Sequence, residues 1–98
     1  MEFPGNLPQN VKLLPATAKE LAKILHKDPE NFRRIFQDVT RLVLGTLPPQ
    51  GRKRLRNFNA YQFDCGRFRV VYRQQGSTFL ILAVFAKSEQ KKRFKGWR

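Results

Sequence analysis

A chain of 98 residues, 41% hydrophobic and 28% charged, can bury one modest core and does not have the composition of a disordered segment. Its longest apolar run, Thr78–Ala86, falls well short of the roughly 20 residues a membrane helix needs. One cysteine (Cys65) and one histidine (His26) supply neither an internal disulfide nor a tetrahedral zinc site, so no metal and no cofactor is expected.

The net charge of +13 is lopsided. Residues 1–51 carry 7 Lys/Arg against 5 Asp/Glu, a net of +2, and residues 52–98 carry 13 against 2, a net of +11. Such crowding is unfavourable unless a polyanion is the partner, so nucleic acid or the ribosome is expected. The N-terminus has neither a basic lead nor an apolar stretch, and the lone cysteine suits a reducing compartment; both point to the cytoplasm.

In chain order, residues 1–9, rich in Pro, Gly and Asn, read as a flexible lead. Residues 11–14 (VKLL), stopped by Pro15, fit a strand at a sheet edge. Thr17 and Glu20 have the spacing of a capping box, which predicts a helix over residues 18–26 with Leu21, Ile24 and Leu25 on one face. Asp28-Pro29 signals a second start, Asp as N-cap and Pro at the first helical position. Phe32, Ile35, Phe36, Val39, Leu42 and Val43 define its buried stripe, and Gly45 suits its end.

Residues 51–59 (GRKRLRNFN) read as a basic loop or entry segment. After them the period changes to two. Tyr61 and Phe63 alternate with Gln62 and Asp64; Cys65-Gly66-Arg67 makes a turn; residues 68–74 are strongly β-prone. Gln75-Gly76-Ser77 makes a hairpin turn, and the most apolar strand, Thr78–Ala86, is expected to be central. The order β-α-α-β-β-β predicts an α+β domain, a helical hairpin packed on a small antiparallel sheet.

From Lys53 to Phe94 the sequence resembles the RelE/ParE superfamily of bacterial and archaeal toxins. The resemblance rests on the entry Arg54-Leu55-Arg56-Asn57-Phe58, the hairpin from Tyr61 through Gly66-Arg67-Phe68-Arg69-Val70-Val71-Tyr72, the apolar residues 80–85 and the basic residues 87–94. It extends over nearly everything after Asn10, so residues 10–98 are expected to form one RelE-like toxin domain. The resemblance implies a type II toxin with a cognate antitoxin. In its RelE-like branch it implies metal-independent cleavage of mRNA on the ribosome. The alternative is a non-enzymatic toxin, either a ParE-like DNA gyrase inhibitor or an inactive RNA-binding member.

Metal-free RNA cleavage needs cations around the phosphorus, a base for the 2′-hydroxyl and an acid for the leaving oxygen. Arg69, on the face opposite Phe68 and Val70, is the candidate to hold the phosphate, and Lys87 the candidate to stabilise developing charge. Arg52, Lys53, Arg54 and Arg56 are expected to contact phosphates. Lys91, Lys92 and Arg93 extend that surface, with Phe94 and Trp97 as stacking platforms. Relatives often carry two basic residues where Gln62 and Asp64 stand, and a Tyr or His where Phe94 stands. Asp64, Tyr72 and Glu89 are therefore the candidate proton-transfer groups. His26, at a helix end, fits a helix-dipole contact. Cys65 has no nearby partner that would make it a nucleophile.

Overall fold

A computed structural model describes residues 10–47, 52–55 and 60–89, in which two helices cover one face of a five-stranded sheet. Strand β1 (Val11–Leu13) is stopped by Pro15, which lacks an amide hydrogen and sits at the first position of helix α1 (Pro15–Lys27). Thr17 does not cap this helix. Leu14 is the N-cap and makes no side-chain capping bond, so α1 starts three residues before the capping-box spacing predicts. The Thr17 hydroxyl, buried at 1% exposure, lies within 3.2 Å of the Ile81 carbonyl oxygen and 2.8 Å of that of Leu82. It thereby serves backbone acceptors of a distant strand at the point where β1 stops pairing with it.

One residue, Asp28, separates α1 from helix α2 (Pro29–Leu44). Its carboxylate accepts from the Asn31 amide at 3.4 Å and from Asn31 Nδ2 at 2.6 Å, and Pro29 occupies the first turn, as expected. These Asn31 bonds, with help from the Arg67 charge, outweigh partial burial and hold the Asp28 pKa below its ordinary value. Gly45, at φ 76°, closes α2 in the left-handed conformation. Phe32, Ile35, Val39 and Leu42 are buried, with Phe36 and Val43 packed partly buried beside them.

Strands β2 (Arg52–Leu55), β3 (Ala60–Cys65), β4 (Phe68–Gln75) and β5 (Thr78–Ala86) complete a sheet of order β1-β5-β4-β3-β2. Three details refine the sequence expectation. The basic segment contains a strand, β2, paired antiparallel to β3, because an edge tolerates charged side chains that an interior strand would not. The sheet is antiparallel except at one edge, where β1 runs parallel to β5, both helices and strands β2–β4 lying between them in sequence. The apolar strand β5 is interior, but β4 takes the centre.

The β4–β5 register shifts at Val71/Tyr72, where Tyr72 pairs with Ile81 and Val71 with Ala83, leaving Leu82 as an extra residue on β5. Ile81 therefore faces the helices with Phe79 and Val84, while Ala83 and Phe85 face the other way. The helix-side core joins both helices to Phe63, Cys65, Val70 and Tyr72. The opposite face holds a smaller cluster, Ala60, Val71, Ala83 and Phe85, to which neither α1 nor α2 contributes.

Candidate nucleic-acid interface

Strand pairing decides which cations meet. Asp64 on β3 stands opposite Arg69 on β4, which stands opposite Phe85 on β5, so one row crosses the face turned away from α1 and α2, the helix-free face among the described residues. The turn that sets this register depends on Gly66, at φ 62°; a Cβ there would lie 2.6 Å from Asn31 Oδ1. At the far end of β5 the chain turns into a short 3-10 segment, Lys87–Glu89, anchored by the Lys87 amide donating to the Arg67 carbonyl at 3.0 Å.

Arg69 Nε donates to Asp64 Oδ1 at 2.8 Å, and Lys87 Nζ lies 3.4 Å from Asp64 Oδ2. One carboxylate thus bridges the two cations predicted for catalysis. Partial burial works to raise the Asp64 pKa, but the hydrogen bonds and charges of Arg69 and Lys87 together prevail and hold it below the usual carboxylate value. The cluster remains open to solvent, Asp64 and Lys87 side chains being 48% and 40% exposed, so each pair adds at most about 1 kcal/mol to stability. An incoming phosphate can compete for both cations.

Next to this row, Gln62 is opposite Val71 on β4 and Lys53 on β2. Gln62 is buried, and its Oε1 has no hydrogen-bond donor among the described residues. The cation that the resemblance expects here is replaced by a neutral acceptor.

The remaining candidates separate. Arg52 pairs with Phe63 and Arg54 with Tyr61, on the helix side; only Lys53 shares the face of Arg69. Tyr72 also lies on the helix side, 2% exposed and ringed by Tyr61, Phe63 and Phe79. Burial raises its pKa, a hydrogen bond and charge from Arg52 opposing that rise, so its phenol stays protonated and away from Asp64. Glu89 is exposed in the 3-10 segment two residues after Lys87. Arg56, Lys91, Lys92, Arg93, Phe94 and Trp97 lie outside the described residues, as does the proposed lead 1–9. His26 is exposed in the last turn of α1.

The buried Cys65 Sγ is 3.1 Å from Asp38 Oδ2, and burial, then the Asp38 hydrogen bond and charge, push its pKa far up. It is a protonated core thiol, not a nucleophile. Among the described residues no group of three or more His, Cys, Asp or Glu could hold a metal ion, and no helix is long and apolar enough to cross a membrane. Tyr61 is the residue that sequence reasoning passes over: it is 38% exposed, the exposed aromatic among the described residues, and its ring stacks on Tyr72 at 5.7 Å and 23°.

Two helices on one face of this mixed five-stranded sheet, with the basic hairpin β3–β4 at its centre, give the chain the RelE-like toxin fold. Solved structures with that fold include the YoeB–YefM complex from Staphylococcus aureus, matched at TM-score 0.67 and 15% identity over 76% of this chain and 92% of the other. The RelB–RelE antitoxin–toxin complex from Methanococcus jannaschii matches at TM-score 0.67 and 16% identity, over 85% and 98%. The toxin–antitoxin complex RelBE2 from Mycobacterium tuberculosis matches at 25% identity and TM-score 0.55, over 82% and 99%. No family model and no curated protein sequence matches the chain.

Proposed function

We propose that this chain is the toxin of a type II toxin–antitoxin pair and inhibits translation in the cytoplasm by ribosome-dependent, metal-independent cleavage of mRNA. The observation that carries the reading is the bridge at Asp64: an oxyanion already sits within reach of both Arg69 and Lys87 on the helix-free face. A scissile phosphate taking that place would receive the Arg69 fork and the Lys87 ammonium as charge builds on its oxygens. The 2′-hydroxyl oxygen then bonds to phosphorus as the bond to the 5′-oxygen breaks, leaving a 2′,3′-cyclic phosphate and a free 5′-hydroxyl. We assign Asp64, ionised and adjacent, to accept the 2′-hydroxyl proton, and the Lys87 ammonium to give a proton to the leaving 5′-oxygen.

The cognate antitoxin, by the same reading, is an acidic-apolar segment that covers this face and neutralises the cluster. The test is purified protein added to programmed ribosomes, with naked RNA as control. Cuts confined to the A-site codon are expected; intact message from folded protein that still arrests growth would overturn the nuclease assignment.

A second reading, a toxin that binds without cutting, is favoured by a specific observation. Both described tyrosines lie on the helix side and His26 ends α1, so none of the described Tyr or His residues joins Arg69. An early stop in translation without cleavage would identify an RNA-binding inhibitor, and DNA-damage signalling would identify a gyrase poison.

A further inference from the structure

The three consecutive cations of β2 do not form one surface, and the two on the helix side have aromatic company. Arg54 stands directly opposite Tyr61, which stands opposite Tyr72, and Arg52 lies one row along, opposite Phe63. Arg52, Tyr61, Tyr72 and Gln74 line a shallow depression at this end of the sheet. The Tyr61 ring stacks on the Tyr72 ring, itself buried in the core, so an exposed aromatic is backed by the core, with Arg52 lining the same depression and Arg54 its cross-strand neighbour.

An exposed aromatic face near cationic side chains is a platform on which a nucleic-acid base can stack. The combination matches the chemistry of one nucleotide unit: a flat base to stack on the ring, and phosphates on either side for the arginines. Gln74, which donates to the Gly76 carbonyl at 3.1 Å through Nε2, also carries an amide oxygen able to accept from a base edge. The charge of the basic half favours a polyanion over an apolar segment as the occupant.

We propose that Tyr61, with Arg52 and Arg54, forms a nucleotide-binding subsite for single-stranded nucleic acid on the helix-side face of β2–β3, separate from the Arg69 cluster on the opposite face. It rests on the nucleic-acid reading given above but not on cleavage. A strand that engages both sites must wrap around the β2 edge, and the subsite holds the strand without touching the scissile bond.

The test is equilibrium binding of the full chain to an eight-nucleotide oligouridylate and to an eight-unit abasic ribose–phosphate strand, without ribosomes. Tyr61→Leu is expected to weaken the base-bearing strand about tenfold and leave the abasic one unchanged, while Tyr61→Phe retains wild-type affinity. Arg54→Gln is expected to weaken both strands and flatten the salt dependence by about 0.7 in log–log slope. Equal binding of the base-bearing strand by wild type and Tyr61→Leu, or equal loss on both strands, would overturn the subsite. If Tyr61→Leu does not fold, wild type answers the question: the Tyr61 ring resonances must shift with the base-bearing strand and stay put with the abasic one, and no shift overturns the proposal. Protein that passes this test yet leaves ribosome-bound message intact keeps the subsite and loses the nuclease reading.

Discussion

The two faces of the sheet are made from the same strands and do opposite work. On the helix side, Phe63, Val70, Tyr72 and Val84 join the stripes of both helices in one continuous core. On the other side, Ala60, Val71, Ala83 and Phe85 form a small apolar patch beside a solvent-open row of Asp64, Arg69 and Lys87. Along β3 and β4, alternation by one residue puts Phe63 and Val70 in the helix-side core and Asp64 and Arg69 on the other face. The lesson is that a strand can position a charged side chain on one face because its neighbours on either side are packed into a core that side chain does not enter.

Substitutions should respect that division. The largest effect on stability is expected at Phe63→Ala, which empties a site only 2% exposed; a loss of about 3–5 kcal/mol should appear in denaturant titration. Arg69→Ala should leave the unfolding free energy within about 1 kcal/mol while cutting message cleavage about 10²–10³-fold, read on ribosomes and as lost growth inhibition. Unaltered toxicity in folded Arg69→Ala protein would place the site elsewhere.

Thr17→Val tests whether the helix side depends on polar ties as well as packing. Losing the hydroxyl that serves Ile81 and Leu82 should cost about 1–3 kcal/mol; an unchanged unfolding midpoint would show that those carbonyls need no such partner.

Asp64→Asn gives the smallest effect on stability and the sharpest on chemistry. Removing the charge between Arg69 and Lys87 should tighten RNA binding several-fold, roughly the worth of a weak exposed pair, and lower the cleavage rate. Because the folded-state pKa of Asp64 is depressed, its stabilising share is present above the unfolded value near 3.8 and fades as pH falls through the folded value. The gap in melting temperature between wild type and Asp64→Asn should therefore narrow in acid; a constant gap would deny the bridge.

Much of this fold is legible in the sequence because local chemistry announces it. Asp28-Pro29 and Gly45 bound α2, and its apolar spacing names the buried face. The misreadings arise where tertiary pairing overrules a local signal. Thr17 has the spacing of a cap, yet a parallel strand ends beside it and claims its hydroxyl. Residues 52–55 are too charged to look like a strand until β3 offers an edge. Once β2 is a strand, its period of two parts Lys53 from Arg52 and Arg54, which a charge run alone cannot reveal. The convergence of Arg69 and Lys87 follows from motif and register, whereas the bridging role of Asp64 requires knowing that the strand after next turns Lys87 back toward it.

The parallel pairing of β1 with β5 also sets a schedule. Thr17 and the Leu82 carbonyl that it serves are 65 positions apart, and β1 pairs with residues 79–81. Contacts of such sequence separation form slowly and late. During synthesis the helical hairpin emerges well before the strands that bear Asp64 and Arg69 and the 3-10 segment that bears Lys87, and the fold cannot close over its own first strand until β5 has left the exit tunnel.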